Sequence, residues 1–152
     1  MLCFALKCGL IATTAFLLPQ VQPWTPESPV RDDTSLNGIR LICTDGSEIQ
    51  SAVGPYGTWT KAEICPEGRL ISYSLRVLEY QGIVDDTAAD NIRFSCENAG
   101  VLTGRSTDWG TYGPWSQQCT NGAICGIQTR IDNELGTGDI TGLNDVKFYC
   151  CD

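Results

Sequence analysis

The chain has 152 residues, with 18 acidic side chains against 10 basic ones, a net charge of −8 at pH 7, and no histidine. An anionic surface without a basic stripe argues against nucleic acid and acidic membranes as partners. The missing histidine excludes Ser-His-Asp and Cys-His catalysis and every histidine-containing metal site.

Met1 to Lys7 and the apolar run Cys8 to Leu18 have the layout of a secretory leader, with a core too short to span a bilayer. Residues 1–20 are therefore expected to be a signal peptide. No small-x-small pair follows the apolar core, and the competing reading makes Cys3 to Lys7 a displaced relic of a strand found further along. Residues 20–31, QVQPWTPESPVR, carry three prolines, which remove amide donors and disfavour an interior strand. After them, RDDTSLNGIRLIC closes at Cys43. YSLRV (Tyr73 to Val77) puts Tyr73, Leu75 and Val77 on one face and Ser74 and Arg76 on the other, the period of two that marks a half-buried strand. Ile92, Phe94 and Cys96 alternate with Arg93 and Ser95, Ile127 and Thr129 with Gln128 and Arg130, and Val146 and Phe148 with Lys147 and Tyr149. Beyond the leader no apolar stripe of helical period appears, and 16 glycines and 7 prolines punctuate the chain, so the fold class is all-β.

Three segments share the pattern D-x-T-x-x-[ND]-x-[IV]-[RK]-[LF]-x-C, with Asp32, Asp85 and Asp139 opening it and Cys43, Cys96 and Cys150 closing it. Cys65 through Asp85 aligns without a gap on Cys119 through Asp139, a period of 54 residues (119 minus 65). Ahead of each cysteine stands a Tyr-Gly-x-Trp segment, at Tyr56 to Trp59 and at Tyr112 to Trp115. Residues 21–152 thus form one domain of three repeats, near 21–53, 54–107 and 108–152. The first keeps only its second half.

Without residues 1–20 there are seven cysteines. Repeat logic pairs the one that opens a unit with the one that closes it, Cys65 with Cys96 and Cys119 with Cys150, and leaves Cys125 to join Cys151. Cys43 becomes an orphan of the truncated repeat. The missing strand would also leave an open sheet edge, so self-association through Cys43 or that edge is expected. A zinc site from Cys119, Cys125, Cys150 and Cys151 is the rival reading, against which the absence of C-x2-C knuckles counts.

Asp32, Asp33, Asp85, Asp86 and Asp139 read either as a carboxylate-lined surface or as turn-closing side chains. An Asp in D-x-T accepts a hydrogen bond from the backbone two residues on, and a residue placed identically in every unit answers a shared structural need, which favours the turn. Trp59 and Trp115, in matched positions, are likewise read as packing wedges rather than sugar platforms. Trp109, outside any matched position, is the candidate for glycan stacking.

The triple D-x-T motif, the Y-G-x-W segments, CGIQTRI and the closing LNDVKFYCC resemble the vitelline membrane outer layer protein I family over about Val30 to Asp152. That resemblance implies a β-prism of three Greek-key units, each with a four-stranded sheet, about a pseudo-threefold axis, here with an incomplete first repeat. It also implies secretion into an egg coat or related extracellular layer, with extracellular glycoproteins or glycans as partners, no transmembrane segment and no cofactor. The family suggests activity on N-acetylglucosamine oligosaccharides, without a motif that maps onto positions here. A structural, glycan-binding coat component is preferred. The alternative is an enzyme with two carboxylates roughly 5 to 10 Å apart across a groove, for which Glu79, Asp85, Asp86, Glu134 and Asp139 are the candidate acids.

Overall fold

The computed structural model describes residues 6–7, 16–21, 36–54, 57–77, 89–131 and 142–152. Twelve β-strands and no helix occur among them: β1 (Leu6–Lys7), β2 (Phe16–Val21), β3 (Leu36–Ile42), β4 (Glu48–Gln50), β5 (Thr58–Trp59), β6 (Glu63–Ile64), β7 (Leu70–Val77), β8 (Asn91–Cys96), β9 (Val101–Thr103), β10 (Thr111–Tyr112), β11 (Ala123–Ile131) and β12 (Leu143–Cys151). They form three antiparallel sheets, ordered β4-β3-β2-β5 with β6 also on β2, β10-β7-β8-β9, and β1-β11-β12. These are the walls of the β-prism. β8 shows the alternation that made it legible: Ile92, Phe94 and Cys96 are buried, and Arg93 and Ser95 between them are partly exposed.

The repeated motif explains the core. Its [IV] slot supplies Ile39, Ile92 and Val146, which lose nearly all contact with solvent. Two residues on, its [LF] slot supplies Leu41, Phe94 and Phe148, the first two fully buried and the third packed against the same cluster. Phe94 and Phe148 meet edge to face with centroids 5.1 Å apart, and Tyr73 adds a second edge contact to Phe148 at 4.7 Å. The walls are thus joined by aromatic contacts worth about 0.5 to 1.5 kcal/mol each beyond their buried area. The polar [ND] slot is buried in the first two units, at Asn37 and Asp90, and exposed in the third, at Asn144.

Disulfides join Cys65 to Cys96, Cys119 to Cys150 and Cys125 to Cys151. The pairing of the four C-terminal cysteines removes the zinc reading, and no metal-binding cluster of cysteines and acids occurs among the described residues.

The first sheet departs from the sequence reading. Phe16–Val21 pairs with β3 so that Leu17 stands opposite Leu41, as Tyr73 stands opposite Phe94 and Ile127 opposite Phe148. FLLPQV therefore occupies the place of SYSLRV and GIQTRI. The expected open edge is filled, by a later segment than the relic proposed at Cys3 to Lys7, and by residues otherwise read as leader. Pro19 is tolerated because β6 pairs only with Phe16 and Leu17 and β5 only with Gln20 and Val21, so the residue lacking an N–H falls in the gap between them. The unit still has no Y-G-x-W segment of its own. Cys43 is disulfide-bonded to a partner outside the described residues, which corrects its reading as an orphan.

Candidate functional site

The outer face of the second sheet is built by the segment from Thr111 to Cys119, which lies along the edge of β7. Tyr112 pairs with Arg76, and the amides of Gly113, Ser116 and Cys119 donate to the carbonyls of Leu75, Tyr73 and Ile71 at 2.8, 2.8 and 2.9 Å. Ser74 Oγ donates to the carbonyl of Gly113 at 2.8 Å. Laid down this way, the segment folds its rings over the outward residues of β7 and β8. The Arg93 guanidinium carbon sits 4.2 Å from the Tyr112 ring centroid and 4.7 Å from that of Trp115. Arg76 approaches Tyr112 less closely, at 5.2 Å. A cation at these distances from an aromatic face is held by the ring quadrupole.

Arg76 is well partnered. Its Nη1 donates to Asp108 at 2.9 Å and its Nε to the carbonyl of Gly110 at 3.2 Å, with the buried Asp90 carboxylate 3.9 Å from Nε. The Thr107 hydroxyl donates to Asp90. Arg93 differs: its Nε is buried without a hydrogen-bond partner, and so is the Tyr112 hydroxyl beside it. Burial pushes the Tyr112 phenol up from its ordinary value, against a weaker downward pull from Arg76 and Arg93. Around this stack the apolar surface is open, with Trp109 at 38 % and Trp115 at 40 % exposure.

The expectation that Trp59 and Trp115 are core wedges is corrected. Trp59 is half-buried and lies under Arg40, whose guanidinium carbon is 4.2 Å from its ring, and Trp115 lies under Arg93 in the next sheet. Both belong to segments on sheet edges, so their rings reach the outward face, where a guanidinium partner stands in for burial. Trp109 lies on the turn just before β10, between Asp108 and Gly110, which both bind Arg76.

The candidate acids Glu79, Asp85, Asp86, Glu134 and Asp139, with Asp32 and Asp33, lie outside the described residues. Asp45 and Glu97 both hold their protons less tightly than free carboxyl groups: Asp45 through hydrogen bonds from Ser47, and Glu97 chiefly through hydrogen bonds from Arg69. A general acid needs a shift the other way. A pocket of about 300 Å³ opens between the second and third sheets, lined by Tyr73, Phe148, Ser116, Gln117 and the Cys119–Cys150 bridge, with no carboxylate in its wall. It can hold a ligand but offers no acid–base pair. Reading the sequence for aspartates and tryptophans passed over Arg93, Arg76, Tyr112 and Asp90. The signal for Arg93 was the recurring [RK] slot, which in the first two units places Arg40 and Arg93 against the rings of the Y-G-x-W segments.

Comparison with known proteins agrees with the motifs. A model of the vitelline membrane outer layer protein I family matches residues 19–152. The vitelline membrane outer layer protein 1 homolog of Homo sapiens is 41 % identical over 139 residues, covering 87 % of this chain and 67 % of the human one. The homolog of Mus musculus is 39 % identical over 139 residues, covering 87 % of this chain and 68 % of its own.

Proposed function

This chain belongs to the vitelline membrane outer layer protein I family, and from that premise we propose that it is a secreted structural component of an extracellular coat, of the egg vitelline kind, which binds glycoproteins through their glycans. The observation that carries the reading is the exposed pair Trp109 and Trp115 on an outer sheet face held rigid by hydrogen bonds and disulfides. Apolar faces of sugars stack on such rings, and hydroxyls find donors and acceptors at the rim. Disulfide density supports secretion, because such bonds persist in oxidising compartments. No helix of the described residues is long and apolar enough to cross a membrane.

The test is binding of the full chain to an immobilised mucin-type glycoprotein and to N-acetylglucosamine oligosaccharides. Trp109→Ala and Trp115→Ala should each weaken binding by about tenfold, the equivalent of roughly 1.4 kcal/mol for one aromatic platform, with the melting temperature little changed. Undiminished binding by the double variant would remove this face from the reading. Shortened oligosaccharide products, lost on Asp85→Asn, would establish the enzymatic alternative in its place.

A further inference from the structure

The same outer-face arrangement is built in two sheets of this molecule, and the two copies differ in one chemical respect. In the first sheet Arg40 stacks on Trp59 and is neutralised within its own sheet. Its Nε donates to Gln50 at 2.9 Å, and its Nη1 meets the Glu48 carboxylate at 3.0 Å. Gln50 is the cross-strand partner of Arg40 and Glu48 stands two residues before it on β4. In the second sheet Arg93 fills the Arg40 slot and stacks on Trp115, with the Tyr112 ring added at 4.2 Å. Its cross-strand partner is Thr103, and the place of Glu48 is taken by Val101. Thr103 is too short to reach as Gln50 does, and Val101 carries no charge. It is also 54 % exposed, an apolar side chain on open surface where the sister sheet has an acid.

The consequence is a guanidinium in contact with two aromatic rings and with no anion supplied by its own sheet. A guanidinium presents a planar fork of donors that matches the oxygens of a carboxylate or sulfate, and such charge-assisted bonds are the strong ones. Its Nε and the Tyr112 hydroxyl are both buried with no hydrogen-bond partner in the fold. A guanidinium without an anionic partner, in contact with Tyr112 and Trp115 and with apolar Val101 in the place of Glu48, describes a site for an anionic group carried on a body with apolar faces. In a chain of net charge −8 such a site selects by local geometry, because the overall field repels anions.

We propose that the Arg93 site takes the anionic group of an acidic sugar, a carboxylate or a sulfate ester, with Trp115 and Trp109 stacking on the sugar ring. This rests on the glycan-binding reading and narrows its ligand class. Arg93 would bind the anion, Tyr112 and Trp115 would hold the guanidinium in orientation, and Val101 and Thr103 would leave it without an internal competitor.

The test is titration of the full chain with lactose, 3′-sialyllactose and a 6-sulfated N-acetyllactosamine, which separates neutral, carboxylated and sulfated sugars. At least one acidic sugar should bind about tenfold or more tightly than lactose, an advantage that shrinks with added salt. Arg93→Gln should abolish that preference. Val101→Glu with Thr103→Gln, which copies the first sheet's solution onto the second, should abolish it too while leaving the melting temperature intact. Arg40→Gln should leave it unchanged. An acidic preference that survives both Arg93→Gln and the Val101→Glu, Thr103→Gln variant would place the anion elsewhere and overturn the proposal. Equal affinity for all three sugars would overturn it while leaving glycan binding in place, and no binding to any of them would sink both.

Discussion

A side chain at position 122 would put its first carbon 1.7 Å from the carbonyl oxygen of Cys151, where the backbone also has φ +70°. Only glycine meets both conditions, so Gly122→Ala should destabilise the protein by at least about 1 to 3 kcal/mol, read as a lower denaturation midpoint; an unchanged midpoint would mean that the C-terminal strand shifts freely. At Glu97 the prediction concerns pH. Its carboxylate accepts from the Arg69 side chain at 2.6 Å and from the Arg69 amide at 2.8 Å, and these bonds hold its pKa below the ordinary 4.5. A carboxyl group lowered on folding contributes stability that is complete above 4.5 and is lost as pH falls through the lower folded value. Because the pair is partly open to solvent, the contribution is expected to stay under about 1 kcal/mol. Glu97→Gln should therefore flatten the acid limb of stability against pH below 4.5 and leave the neutral plateau nearly in place.

Among the strands, those with an alternating pattern were legible and the one without it was not. YSLRV and NIRFSC announce a buried and an exposed face, and the structure pairs them as β7 and β8 with Tyr73 opposite Phe94. FLLPQV reads as an unbroken apolar run ending in proline, which a secretory core also provides, so period alone could not separate strand from leader. What places it is register against β3, a long-range fact that no local window holds. The edge segments were missed for a related reason: β5, β6 and β10 are two residues each, too short for a pattern, and Trp59 on β5 and Trp115 just after β10 read as inward wedges. The candidate acids lie outside the described residues, whereas the aromatic and guanidinium groups of the face come from strands and their edges. A test at this scale compares the full chain with residues 22–152. Loss of β2 strips Leu36–Ile42 of one neighbour, and the shortened chain should associate in sedimentation while the full chain does not. Equal monomeric behaviour would show that another segment covers β3.

At the scale of the whole molecule, three walls of similar plan surround one core, and the bridges within them tie strand ends that are far apart in sequence. Cys65 and Cys96 are 31 positions apart, as are Cys119 and Cys150. Replacing Cys65 and Cys96 together by alanine should lower stability by roughly 2 to 4 kcal/mol, with a steeper loss on full reduction, measured by denaturation with and without a reductant. No change on reduction would mean that the aromatic core alone holds the walls. The pairing of Leu6 with Ile127 and of Lys7 with Gly126 sets a schedule as well. Residue 6 cannot find its partner until 121 further residues (127 minus 6) have been made. At about 5 to 20 residues per second that is a wait of roughly 6 to 24 s. The third sheet is therefore completed by the earliest-made strand and the latest-made pair together, so the prism closes only when synthesis is nearly over. Until then β1 must be kept from premature partners, and the order in which cysteines oxidise becomes part of how this fold is reached.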